Sequence, residues 1–154
     1  MQIVLDTNVI SELRLPAPDP SVTRWFESID PEHAVIAAFT IAEIHYGIAV
    51  LGERDPAFAA RLRAWVQTLV DATPVLPLNA AAAAILGRML ANPALRSLAV
   101  TPPRARRPRF GGDLMIAAVA LAHGATIATR NIADFALIAV HWPRLSVINP
   151  WDGP

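Results

Sequence analysis

Gln2-Ile3-Val4-Leu5-Asp6-Thr7-Asn8, followed by Val9 and Ile10, decides how this chain folds. Residues 2–5 form an apolar run too short for a helix, and the run stops at three polar residues that favour turns. Such a run reads as a buried strand. A strand that is apolar on both of its faces belongs in a parallel sheet covered on both sides by helices. Sheets of this kind take their ligands at the carboxyl ends of the strands, near the topological switch point. Asp6 stands at the first such end.

Working outward, the pattern recurs. Residues 34–38, 74–78, 125–129 and 145–148 read as further short strands, the second of these weakened by its prolines. Helices separate them. A short helix covers 9–13, and Pro16, Pro18 and Pro20 then stiffen a loop. Ser21 is placed to cap a helix carrying Val22, Trp25, Phe26 and Ile29. Thr40 opens a helix to about residue 51. Asp55-Pro56 opens another, on which Phe58, Leu62, Trp65 and Leu69 share one face. Asn79 caps an alanine-rich helix to about residue 91. Residues 93–112 read as irregular and rich in Pro and Arg. Asp113 starts a strongly apolar helix to about His123, with Gly124 closing it. The expectation is an α/β chain, one domain over residues 1–154, with a central parallel sheet of about five strands.

Composition narrows the chemistry. The 154 residues are 54% hydrophobic and 17% charged, which excludes a disordered chain. There is no Cys, so thiolate zinc sites, thiol nucleophiles and disulfides are excluded. No apolar run approaches the roughly 18–20 residues that cross a bilayer, and the first residues lack the basic start of a secretory signal. The expected location is cytoplasmic. All 13 basic residues are Arg, and 13 acids balance them. The balance is uneven, because residues 72–112 hold six Arg and no acid, leaving seven Arg against all 13 acids elsewhere. A net charge of zero therefore does not exclude a nucleic-acid partner.

Four acids fall at element ends: Asp6, Glu43, Asp113 and Asp134, the last in Thr129-Arg130-Asn131-Ile132-Ala133-Asp134. Each has an ordinary reading. Asp6 can form a turn that caps the next helix, Thr40-Ile41-Ala42-Glu43 matches a capping box, Asp113 after Gly111-Gly112 can be an N-cap, and Asn131 with Asp134 matches a cap with a third-position acid. Taken together they point elsewhere. Carboxylates gathered at one sheet edge repel each other and raise each other's pKa. Keeping them ionised calls for a divalent cation, and oxygen-only ligands suit Mg²⁺ or Mn²⁺. Such an ion serves the hydrolysis of a phosphodiester.

Five stretches now carry a resemblance: Val4-Leu5-Asp6-Thr7-Asn8-Val9-Ile10; Thr40-Ile41-Ala42-Glu43 with Gly47; Asp113-Leu114-Met115-Ile116-Ala117-Ala118; Ala128-Thr129-Arg130-Asn131-Ile132-Ala133-Asp134-Phe135; and Val147-Ile148-Asn149-Pro150-Trp151. In this order they resemble the PIN-domain toxins of the VapC type, especially the FitB-like branch. The resemblance implies a three-layer α/β/α PIN domain. It implies a metal-dependent endoribonuclease, the toxin of a type II toxin–antitoxin pair, using Mg²⁺ or Mn²⁺. Asp6, Glu43 and Asp113 match the metal-binding acids. Some members place a fourth acid where Asn131 stands and others where Asp134 does; Asp134 is taken as the contributor and Asn131 as its orienting neighbour. Thr7, Asn8 and Thr129 are expected to donate hydrogen bonds to the acids. The implied partners are a VapB-type antitoxin, RNA and a second copy of the chain, with DNA reached only through the antitoxin and no membrane. The alternative is a FitB-like binding partner of a DNA-binding antitoxin, with weak or no nuclease activity.

Arg104, Arg106, Arg107 and Arg109 have three readings: a solvated loop, an RNA phosphate contact, or an antitoxin contact. The connection is longer and more basic than is usual in the resembling family. His45 and His123 read as ordinary helical residues, and the aromatic residues as core or interface. No Gly-x-Gly-x-x-Gly or P-loop pattern occurs. Asp6-Thr7-Asn8 lacks the second Asp of the haloacid-dehalogenase pattern, and a chain without Lys cannot be a receiver domain.

Overall fold

The computed structural model describes residues 1–100 and 111–153. In chain order its elements are β1 (Ile3–Leu5), α1 (Thr7–Leu13), α2 (Pro20–Ser28), β2 (Ala34–Ala37), α3 (Ala38–Gly52), α4 (Pro56–Ala72), β3 (Val75–Leu76), α5 (Ala80–Ala91), α6 (Arg96–Ala99), α7 (Gly112–His123), β4 (Thr126–Ala128), α8 (Ile132–His141) and β5 (Ser146–Ile148). Short 3-10 turns lie at Pro31–His33, Pro93–Leu95 and Pro150–Asp152. The five strands form one sheet in the order β3-β2-β1-β4-β5. Every pairing is parallel, and Leu5 lies opposite Ala128. The expected α/β/α architecture and five-stranded parallel sheet are what is found.

The strands are apolar throughout because both faces are buried. Ile3, Leu5, Ala34, Ile36 and Ala128 pack on one side with Val9 and Ile10 of α1 and Val22 and Trp25 of α2. Val4, Val35, Ala37 and Ile127 face the other side and pack with α5, α7 and α8. Side chains alternate across a strand, so each residue pair serves both layers. The face of α4 that packs on α3 carries the fully buried Ala59 and Val66 with Leu62 and Trp65, against Ile48.

The chain order places the switch point. β2 and β3 are added on one side of β1, and β4 and β5 on the other. The crevice therefore opens between the carboxyl ends of β1 and β4, where Asp6 and Thr129 leave the sheet. Asp6 N–H still donates to Ala128 O (3.0 Å), and Thr129 N–H to Ile148 O (3.0 Å), so sheet bonding holds both residues at the edge.

Several expected helix starts move. Asp19, not Ser21, caps α2: its Oδ1 accepts from Ser21 N–H at 2.8 Å, and Pro20 fills the first helical position. Proline has no N–H to leave unpaired and its φ already suits a helix, so the helix begins one residue earlier. α1 starts at Thr7, because Asp6 caps it directly. α3 follows β2 without a loop or side-chain cap, so Thr40 lies inside its first turn, and the Thr40-to-Glu43 capping box does not form. Thr40 is fully buried, and its hydroxyl has no partner among the described residues. The stretch read as irregular from residue 93 contains the turn Pro93–Leu95 and α6, which bury Leu95 and Leu98. Among the described residues, no helix is long and apolar enough to cross a membrane.

Candidate active site

Asp6 is 4% exposed, and three neighbours bind its carboxylate. Thr7 N–H donates to Oδ1 at 2.7 Å, and Asn8 Nδ2 and the Thr129 hydroxyl each donate to Oδ2 at 2.6 Å. The ordinary reading of Asp6 as a helix cap holds, and its second oxygen is turned elsewhere: Oδ1 caps α1, while Oδ2 faces the exit of β4. Burial raises the Asp6 pKa above the ordinary carboxylate range, and the bonds from Thr129, Thr7 and Asn8 oppose that rise.

Glu43 enters from α3. Its Oε2 accepts the Thr7 hydroxyl at 2.6 Å, a bond that spans 36 positions of sequence. Thr7 thus touches both acids, one through its backbone and the other through its side chain. Burial raises the Glu43 pKa as well; the Thr7 bond opposes this, and the negative charge of Asp6 adds to it. The repulsion expected between gathered acids is present in this pair.

Asp113 and Asp134 are joined by Asn131. Its side-chain amide donates to Asp134 Oδ2 at 2.9 Å and to Asp113 Oδ2 at 3.3 Å. Asn131 stands at the N-cap position of α8, yet its side chain makes no capping bond; the cap reading fails because the amide is turned to the two acids. Gly111, not Asp113, is the N-cap of α7, in the left-handed region at φ 65°, and Asp113 lies in the first turn. Thr129 joins the two acid pairs. Its hydroxyl donates to Asp6, accepts from Asn8 Nδ2 at 3.0 Å, and accepts from Asn131 N–H at 2.9 Å. Asn8 Oδ1 also accepts Arg130 N–H at 3.0 Å, fastening the loop after β4 to the start of α1.

All eight site residues expected outside the arginine segment therefore fall in one hydrogen-bonded network at the carboxyl edge. Arg104, Arg106, Arg107 and Arg109 lie outside the described residues. Among the described residues, no three His, Asp or Glu side chains are close enough together to form a finished metal cage. The donor set still suits a hard divalent cation, since it is oxygen-only and Asp6 and Glu43, both desolvated by burial, are bound by neutral donors.

One contributor escapes a reading of motifs. A Cβ on Gly112 would collide with Glu43 Oε1 and come within 2.9 Å of Phe39 Cε1. The glycine lets the Glu43 carboxyl lie against the first turn of α7, next to Asp113. The signal in sequence is the doubled glycine: one residue supplies the left-handed cap, and the second has no role in capping. His45 is exposed on α3, and His123 Nε2 lies 3.3 Å from Pro77 O and from Asn79 Nδ2. Neither imidazole enters the network.

Comparison with known proteins shows the family. The PIN domain family model matches residues 3–140. The chain is 34% identical to VapC ribonuclease Y4jK of Sinorhizobium fredii, over 97% of this chain and 98% of that protein. It is also 34% identical to toxin FitB of Neisseria gonorrhoeae, again over 97% and 98%. Among solved structures, FitAcB from Neisseria gonorrhoeae superposes with a TM-score of 0.67 at 31% identity, covering 97% of this chain and 99% of that one. FitAB bound to an IR36 DNA fragment superposes with a TM-score of 0.69 at 30% identity, covering 97% and 96%. The chain belongs to the PIN-domain family, in the branch of the VapC and FitB toxins.

Proposed function

We propose that this chain hydrolyses RNA phosphodiester bonds with a divalent cation and serves as the toxin of a toxin–antitoxin pair. The observation that carries this reading is the network holding Asp6, Glu43, Asp113 and Asp134 at one sheet edge, two of them with raised proton affinity. Neutral donors orient Asp6 and Glu43 without neutralising them, and a cation completes such a pair. Asp6, Glu43 and Asp113 would hold it, with Mg²⁺ favoured and Mn²⁺ acceptable on oxygen ligands. When bound, the ion supplies positive charge and Lewis acidity at a phosphoryl oxygen.

The chain's own residues do the positioning. Thr129 and Asn8 hold Asp6 Oδ2, and Thr7 holds Glu43 Oε2. Glu43, with Oε2 held by Thr7 and Oε1 lying against Gly112, is fixed in place to serve as one of the acids that would hold the cation. Asn131 sets the spacing of Asp113 and Asp134. RNA as the substrate is supported by the likeness to a VapC ribonuclease.

The partner we infer is an antitoxin of the FitA or VapB kind, supported by the likeness to FitAB. DNA is then reached through that partner. A single PIN unit over residues 1–154, working as a homodimer, belongs to the same proposal. Arg104, Arg106, Arg107 and Arg109 are assigned to contact with RNA or antitoxin; replacing all four by Ser should weaken RNA binding and flatten its salt dependence. The second reading, a binding partner with weak or no nuclease activity, is favoured by the likeness to a DNA-bound complex. Co-expression with the neighbouring small gene separates the two. Growth arrest and Mg²⁺-dependent RNA cleavage that both vanish in Asp6→Asn support the enzyme. A stable complex whose toxin, once freed, cleaves no RNA supports the second reading.

A further inference from the structure

We infer that Arg130, braced on the ring of Trp151, anchors a phosphate of the RNA strand beside the acid cluster; this rests on the ribonuclease reading above. Arg130 stands between Thr129, which binds Asp6, and Asn131, which binds Asp113 and Asp134. Adjacent Cα atoms are about 3.8 Å apart, so its backbone lies at the rim of the network. That backbone is fixed, because its N–H donates to Asn8 Oδ1 at 3.0 Å. The side chain is exposed, with Cζ 5.2 Å from the centroid of the Trp151 ring.

The closing Asn149-Pro150-Trp151 stretch, which the acid chemistry leaves unexplained, forms the platform. Asn149 Oδ1 accepts Trp151 N–H at 3.2 Å, and its amide donates to Asp152 Oδ1 at 2.8 Å, closing the turn just past β5. The turn packs on α2, and Trp151 joins the core layer that includes Leu5, Val22 and Trp25. The core supports the indole, and the indole supports the guanidinium.

This arrangement suits an anion. A free arginine samples many rotamers, and stacking confines it before a ligand arrives. Stacking uses the face of the guanidinium and leaves its edge N–H groups to form a two-pronged bond to a phosphate. An acid cluster repels RNA, so a fixed cation at its rim gives the strand a point of attachment. Arg61 stacks on Phe58 at a similar 5.2 Å within α4. What sets Arg130 apart from Arg61 is its place between two members of the network.

The test uses full-length protein carrying Asp6→Asn, so that RNA is bound and not cut, with a fluorescein-labelled mixed-sequence single-stranded RNA in Mg²⁺ over a salt series. Adding Arg130→Gln should weaken binding about five- to tenfold and reduce the salt slope by about 0.7, the value for one lost phosphate contact on a single strand. Arg130→Lys should fall between, keeping the charge but losing the planar fork. Trp151→Leu should weaken binding in the same direction, and Trp151→Phe less. Arg130 is exposed, so the melting temperature of Arg130→Gln should match its parent, and that variant decides even if Trp151→Leu fails to fold. Unchanged affinity and slope in Arg130→Gln would overturn the inference. So would a loss confined to antitoxin binding, which would assign the arginine to that partner. If wild-type protein neither binds nor cleaves RNA, the ribonuclease reading itself has failed, an outcome distinct from an inert Arg130.

Discussion

Asp6 and Glu43 are held differently from Asp113 and Asp134. In the first pair Asp6 accepts from Thr7, Asn8 and Thr129, and Thr7 also serves Glu43 through its hydroxyl. Both are pushed up in pKa by burial. In the second pair both acids are half-exposed, as Glu43 is, and both accept from one amide, that of Asn131. The first pair depends on sheet geometry, since Asp6 is still bonded to β4 through its backbone. The second depends on where α7 and α8 begin. The first pair joins a buried acid at a strand exit to one reaching in from α3; the second joins two acids in the first turns of α7 and α8.

The comparison can be broken first at Asp6. Asp6→Asn should lower Mg²⁺-dependent RNA cleavage by a factor on the order of a thousand or more. Asp134→Asn, at the far end of the network from Asp6, should cost far less. Equal losses in a single-turnover assay would show that the two pairs are not distinct. Gly112→Ala comes next. The new Cβ must push away the Glu43 carboxyl and the edge of the Phe39 ring, the far ends of two side chains, so the fold should survive. A displacement of about 1 Å can cost about a hundredfold in rate. Because Glu43→Asp withdraws the carboxyl by one carbon, the double variant should regain part of the loss relative to Gly112→Ala; a cycle of the two substitutions would read strict additivity if they act independently.

Smaller effects should follow at the donors. Thr7→Val and Asn131→Ala should each weaken Mn²⁺ binding by about ten- to a hundredfold. Thr7→Val should also shift the pH profile, because the Thr7 hydroxyl lowers the Glu43 pKa and its removal raises it further. Asn131→Ala should leave the Glu43-dependent limb in place. Stability gives the smallest effect. Folded-state pKa values of Asp6 and Glu43 are raised, so their contribution to stability is fully present below the ordinary carboxylate pKa and is lost as pH rises through the folded values. Glu43→Gln in metal-free buffer should therefore gain a few degrees in melting temperature over wild type, and the gain should grow from acid to neutral pH. Mg²⁺ should reverse that ranking. A difference independent of pH would show that the Glu43 carboxyl is not under this strain.

Much of this was legible in residue order. The apolar runs ending at Asp6 and Thr129 indicated strands buried on both faces, and the five quoted stretches carried the acids. The helix starts were less legible, for local reasons. At Ser21, a proline one residue earlier took the first helical position. At Thr40, the strand ran directly into the helix and left no residue to cap it. At Asn131, a side chain with a satisfactory local bond available was drawn to two carboxylates instead. A capping motif records which bonds are possible within four residues, not which of them the neighbouring chain allows.

By itself the sequence determined the layers, the parallel sheet and the identity of the acids, because these follow from apolar periodicity and from side-chain chemistry that travels with each residue. Only the tertiary structure decided how the acids are paired. The Thr7–Glu43 bond spans 36 positions, and the Thr129–Asp6 bond spans 123. It also decided that Gly112 makes room for Glu43, and that Arg130 rests on Trp151. Contacts of this kind depend on which strand exits become neighbours at the switch point. That is a property of the sheet order, which no local stretch of the chain contains.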